Sequence, residues 1–207
     1  MQQKEQINKL KETVILFQKT QREALGYSEA SGLLSVLMNY THSFALLNQY
    51  DTGNFPTGGL NEHVIESINP REAIQDIGRL RERLAAQKEA TALFGNAKDD
   101  SFIGILGSIV QSFDGKYLYP SVEEQAAHLL YFIVKNHPFT DGNKRIGAFM
   151  FIWFLQRNQH HVKKNGEPKI NDNALVAITL LVAESEPCQK EIIVELIINL
   201  IREEPYS

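Results

Sequence analysis

Nine consecutive residues, His137-Pro138-Phe139-Thr140-Asp141-Gly142-Asn143-Lys144-Arg145, set a titratable base, a carboxylate, a glycine, an amide and two cations between apolar segments. Together these groups can hold a metal-bound polyphosphate beside a general base. Imidazole takes up a proton near neutral pH, so His137 is the candidate to accept one from an attacking hydroxyl. Asp141 beside bare phosphates would be repelled by them. It fits if a divalent cation bridges the two, because Mg²⁺ typically takes one or two carboxylates plus phosphate oxygens. Arg145 can grip phosphate oxygens bidentately, and Lys144 supplies a point charge. Gly142 lets the backbone approach a phosphate with no Cβ in the way. Asn143 can cap the following helix or offer its amide, and Gly147, one turn further, is grouped with Gly142 to Arg145 as nucleotide-contacting. Phe139 reads as the apolar anchor of the loop. A plain helix connector accounts for any one of these residues, but it does not need all of them in one fixed order.

Two helices must hold that loop. Ser121 and Glu124 form a capping box, which opens a helix through Asn136 carrying Ala126, Leu129, Leu130, Ile133 and Val134. Pro138 ends it, because proline disfavours a helical residue before it. The next helix starts near Asn143, where free N–H groups and the helix dipole favour an anion. Its Phe149, Phe151, Trp153 and Phe154 are apolar almost all round, which predicts a central position.

The remaining periodicity is also helical. Ile7, Leu10, Val14 and Phe17 predict an amphipathic helix that Gly26 ends, and a second helix covers Ala30 to Leu47. Asp51 to Pro56 reads as a loop. A charged helix follows over Arg71 to Glu89, with Ile74, Ile77 and Leu84 on its apolar face, then one over Ser101 to Val110. Asp114-Gly115 between aromatic-containing segments signals a tight hairpin over Phe113, Asp114, Gly115, Lys116, Tyr117 and Leu118. A polar loop spans Asn158 to Asn171, and the last helices cover Asp172 to Glu184 and Gln189 to Glu203. The fold class is all-α with one small hairpin. Residues 1–50 are expected as a helical extension packed on the core, and 51–207 as the catalytic domain.

The 207 residues carry a net charge of −4, with a pI of about 5.9. No long Lys/Arg cluster is present, so neither nucleic acid nor an anionic membrane is an expected partner. Cys188 is the only cysteine, which excludes an intramolecular disulfide and a cysteine zinc cluster. The polar N-terminal residues and the absence of a long apolar run point to a cytoplasmic protein. His160 and His161, being adjacent, cannot share a helix face as metal ligands, and His128 reads as a packed or partly exposed residue.

The motif resembles the signature of the Fic/Doc family, H-P-F-x-(D/E)-G-N-(G/K)-R, with six fixed residues in register. The likeness extends upstream through Phe94-Gly95, Gln111-Ser112-Phe113-Asp114-Gly115 and Leu118-Tyr119-Pro120-Ser121. That stretch is similar to the Fic-type module of RhuM-like bacterial virulence proteins. The resemblance covers about residues 50 to 158. It implies a helical bundle with the hairpin as a flap next to the active-site loop. The implied activity is transfer of AMP from ATP to a Ser, Thr or Tyr hydroxyl of a target protein. His137 is then the base, Asp141 the Mg²⁺ ligand, Gly142 and Asn143 the anion hole, and Arg145 the grip on the outer phosphates. The flap residues Phe113 to Leu118 would register the target by main-chain pairing.

Two departures bear on that implication. Lys144 stands where AMP-transferring members mostly have glycine. The Doc branch carries lysine there, binds ATP reversed and transfers the γ-phosphoryl group, yet it has alanine where this chain has Gly142. A Doc-like protein kinase of the toxin–antitoxin type is therefore the second reading, and a dormant interaction or regulatory protein the third. The inhibitory pattern (S/T)-x-x-x-E-(G/N) of many family members does not occur, which leaves inhibition to an antitoxin-like partner, or the chain constitutively competent. The oligomeric state, homo-oligomer included, is left open.

Overall fold

A computed structural model describes residues 41–203. The expected helix over Ile7 to Phe17, and the part of the second helix before Thr41, lie outside the described residues. The chain divides into two compact units between Thr57 and Gly58.

In the first unit, helix α1 spans Thr41–Thr52, beyond the Leu47 boundary read from the sequence and two residues into the expected loop. Thr52 delays the stop: its hydroxyl donates to the Asn48 carbonyl at 2.7 Å, adding a bond within the last turn. Among its described side chains, Leu46 and Gln49 are buried.

The second unit holds α2 (Pro70–Ala86), α3 (Ser101–Ile109), strands β1 (Ser112–Phe113) and β2 (Lys116–Tyr117), α4 (Val122–Asn136), α5 (Asn143–Arg157), α6 (Asp172–Glu184), a short 3-10 turn and α7 (Lys190–Ile201). The all-α class with one antiparallel hairpin is therefore observed, with Ser112 opposite Tyr117 and Phe113 opposite Lys116. Asp114 at φ 51° and Gly115 at φ 74° make the turn, as a tight hairpin with two positive-φ residues requires.

The central helix is α4, not α5. It packs against α3, α5, α6 and α7, and eleven of its fifteen residues are buried. Its sequence concealed this because several of those residues are polar. Each makes at least one polar contact, as buried polar groups require, although the buried Gln125 Oε1 accepts no hydrogen bond from the described residues. Gln125 donates to the Tyr119 carbonyl at 2.9 Å. His128 Nδ1 lies 2.8 Å from the Glu124 carbonyl, and its ring stacks on Tyr119 at 3.7 Å between centroids. Glu123 accepts the Asn61 N–H at 3.0 Å and meets His160 Nε2 at 2.8 Å. His160 is thus a buried partner for a carboxylate, and Lys169 Nζ lies 3.2 Å from its Nδ1.

Burial alone would push the Glu123 carboxyl up. The His160 hydrogen bond and charge, with the backbone N–H groups of Glu123 and Asn61, outweigh it and hold the carboxyl below its ordinary 4.5. A carboxylate depressed in the folded state adds stability above its unfolded value, and that stability is lost as pH falls through the folded one. We expect Glu123→Gln to cost about 1–2 kcal/mol at pH 7, with the gap to wild type closing as pH drops below 4.5. Thermal denaturation at pH 7 and pH 3.5 checks this, and an unchanged gap at both would contradict it.

Two helix faces differ from expectation. On α2 the buried residues are Ala73 and Ile77, whereas Ile74 is 52% exposed. The four-residue step from Ala73 to Ile77, and not the three-residue step from Ile74, follows the buried face, and Trp153 Nε1 on α5 donates to Asp76 Oδ2 at 2.7 Å. The helix also ends at Ala86 instead of Glu89, because Lys88 takes φ 61°. Gly147 is buried against α4, where a Cβ would come 2.7 Å from Val134 Cγ2. Its absent side chain serves the close α4–α5 crossing, and Gly147 is not among the residues that line the cleft at the loop.

Candidate active site

The loop between α4 and α5 opens with strain. Pro138 forbids a continued helix at its predecessor, and His137 caps α4 in the left-handed region, φ 47° and ψ 57°. Non-glycine residues in that region are uncommon, with His among the more tolerant types, and they gather at functional sites. The turn leaves the His137 side chain exposed at the helix end.

Phe139 fixes the loop from below, as its sequence position suggested. It is 2% exposed, and its ring lies 4.9 Å from that of Phe102 on α3. Asn143 then staples the loop to itself. It accepts the Phe139 N–H at 2.9 Å and donates to the Phe139 carbonyl at 2.8 Å. Its amide is committed to the loop backbone, so its visible contribution is shape, not a helix cap. The residue at the α5 cap is Gly142, which has no side chain to offer.

A second strand of support comes from the segment after α2. Lys98 donates to the Pro138 carbonyl at 2.9 Å, Thr140 to the Asn96 carbonyl at 2.8 Å, and Gly95 to the Asp141 carbonyl at 3.1 Å. The buried Phe94 ring fills the place where Gly142 would carry a side chain: a Cβ there would sit 2.3 Å from Phe94 Cε2. At φ 86° Gly142 is in left-handed space as well. The glycine is required twice over, by backbone and by neighbour.

On this frame, His137, Thr140, Asp141, Gly142, Asn143, Lys144 and Arg145 line an open cleft of about 410 Å³. That is the size of a small-molecule site. Arg145 leans away from the helix: Nη1 donates to the Glu89 carbonyl at 2.7 Å, and the guanidinium rests 4.6 Å above the Phe94 ring. Its Nη2 lies 4.0 Å from Asp141 Oδ2. Lys144 is exposed in the first turn of α5.

The residues fit a metal-bound polyphosphate. The glycine at the α5 N-terminus is the cradle a Cβ would fill, and two cations stand in a turn where the helix dipole disfavours them unless an anion is present. Among the described residues no group of three or more His, Cys, Asp or Glu could hold a metal ion. Asp141 would thus be a single protein carboxylate for a divalent cation, with phosphate oxygens and water as the other ligands, the pattern Mg²⁺ favours.

The hairpin residues Phe113 to Leu118 are exposed, Phe113 at 88%, and none of them lines the cleft. The chain leaves the hairpin into the first turn of α4, whose other end carries His137.

The model of the Fic/DOC family matches residues 40–155. The chain belongs to that family. The match ends inside α5, so it contains the whole loop, both flanking helix junctions and the hairpin. Membership makes this Fic/DOC chain a Fic-type transferase by family, one whose relatives use nucleotide substrates. No curated protein and no solved structure matches the chain.

Three supports of the site were not read from the sequence: the Glu89 carbonyl, Thr91 and the Phe94 ring. Only Phe94-Gly95 had a signal, as the start of the upstream likeness.

Proposed function

We propose that this Fic/DOC protein transfers AMP from ATP to a hydroxyl of a target protein. The observation that carries the reading is the single cleft bringing His137, Asp141, Gly142, Lys144 and Arg145 together around a volume suited to a nucleotide. In this reading His137 accepts the proton of the target hydroxyl as its oxygen bonds to the α-phosphorus and pyrophosphate leaves. Bound Mg²⁺ would neutralise phosphate charge and steady the leaving group. Asp141 holds the cation, the α5 N–H groups at Gly142 receive phosphate oxygens, and Arg145 exchanges the Glu89 carbonyl for an outer phosphate. The exposed hairpin, with its main-chain edge and apolar Phe113 and Leu118, serves as the docking strip for an extended target segment.

Lys144 supports a second reading, γ-phosphoryl transfer, because it adds a cation at the cleft where the AMP-transferring pattern has glycine. Against it stands Gly142. The alanine of the Doc branch at that position would meet the Phe94 ring. Restraint by an antitoxin-like partner remains part of the proposal under either reading, since the chain lacks the internal inhibitory pattern.

Incubation with cell lysate, Mg²⁺ and ATP labelled at either the α- or the γ-phosphate separates these readings. AMP transfer predicts protein-bound label from the α position only. Label from γ only would replace it with phosphorylation. No label dependent on His137 from either position would leave the interaction-protein reading for that lysate.

A further inference from the structure

The connection between α2 and α3 holds Asp141 at both ends of the residue. Gly95 binds its carbonyl, and Thr91 Oγ1 lies 2.8 Å from its Oδ2. A carboxylate can only accept, so the Thr91 hydroxyl donates. That hydroxyl is oriented in turn: Leu93 N–H donates to Thr91 Oγ1 at 3.3 Å, and Phe94 N–H closes the turn on the Thr91 carbonyl at 3.2 Å. Among the described residues no hydrogen bond is made to Asp141 Oδ1.

The Thr91 hydroxyl is not needed to shape the loop. Backbone bonds from Gly95, Lys98 and Thr140, with the Asn143 staple and the Phe139 anchor, already fix the main chain. What the hydroxyl adds is control of one carboxylate torsion. It occupies Oδ2, and Asp141, with Oδ1 making no hydrogen bond among the described residues, lines the cleft. Arg145, 4.0 Å from the same Oδ2, is drawn off by the Glu89 carbonyl and is not the group that sets the carboxylate. Where a cation depends on one protein carboxylate, the orientation of that carboxylate matters more than in a site with several. Groups that orient metal ligands from behind typically change metal affinity 10- to 100-fold when removed.

We infer that Thr91 is a positioning residue that fixes the Asp141 carboxylate for the divalent cation of a bound nucleotide. The inference rests on the nucleotide reading above for its ligand, and it names a residue outside the motif, fifty positions upstream.

Calorimetric titration of ATP into the full chain, with Mg²⁺ and with EDTA, tests it without turnover. Wild type should bind ATP more tightly with Mg²⁺. Thr91→Val should lose about tenfold of that metal-dependent gain, with its EDTA affinity unchanged, and Thr91→Ser should keep it. Thr91→Ala gives the same comparison should the valine variant fold poorly. Equal Mg²⁺ gain in wild type, Val and Ala variants would overturn the inference, as would no Mg²⁺ gain in wild type. Loss in Val with rescue in Ser supports it even where no label is transferred to protein, a result that would sink the transfer reading alone. His137-dependent labelling with an undiminished Mg²⁺ gain in Thr91→Val would sink the positioning role alone.

Discussion

Replacing His137 with asparagine is expected to cut transfer of label to protein by at least about 10²-fold, the usual contribution of a positioned general base. Asparagine is the informative substitute because His137 sits at φ 47°. Asn tolerates the left-handed region better than most residues, so the helix cap and the loop that follows should survive. The side chain is exposed and its removal opens no cavity. Melting temperature and Mg²⁺-dependent ATP binding should therefore stay close to wild type while transfer falls. That separation distinguishes a base from a structural turn. A variant that retained wild-type transfer would remove the base role, and one that lost folding with activity would return His137 to a structural part.

Gly142→Ala is the second large effect, and it acts through both folding and binding. The added Cβ would lie 2.3 Å from Phe94 Cε2 and 2.4 Å from Cδ2. Phe94 is fully buried and carries the Arg145 guanidinium on its face, so the ring cannot swing into solvent at little cost. Overpacking of this kind costs about 1–3 kcal/mol, and a left-handed φ of 86° adds about 1–2 kcal/mol for a residue with a Cβ. A fall in melting temperature of roughly 4–20 °C follows for a chain of this size. The same displacement moves Phe94, Arg145 and the α5 N-terminus, so ATP affinity should fall by about tenfold or more. An unchanged melting temperature with unchanged ATP binding would mean that the ring yields freely. The Doc-branch alanine would then no longer count against γ-phosphoryl transfer.

Gly142, together with Lys144, thus bears on the choice between AMP and phosphoryl transfer. Lys144 is exposed, and its charge suits either phosphate orientation. Gly142 is locked by its neighbour. In the proposed reading, the polarity of the nucleotide would depend on how a phosphate settles over this glycine, beside the Arg145 guanidinium held by the Glu89 carbonyl.

Much of the chain was legible because its signals are local. The Ser121–Glu124 capping box set the start of α4. The Pro138 rule set its end, and Asp114-Gly115 set the hairpin. Asp172–Glu184 matched the periodicity residue for residue. The motif itself could be read because its groups are contiguous, so one loop must bring them together. Tertiary structure alone decided what reaches them from elsewhere. Thr91 finds Asp141 across fifty residues, and the Phe94 ring lies beneath Gly142. Gly147 packs on Val134 because two helices cross there, and the buried Glu123 of the central α4 meets His160 and Asn61 from distant segments. Periodicity and turn chemistry are properties of one segment, whereas these contacts depend on packing between segments far apart in sequence. The sequence therefore determined which groups could do the chemistry, and packing determined how each is held.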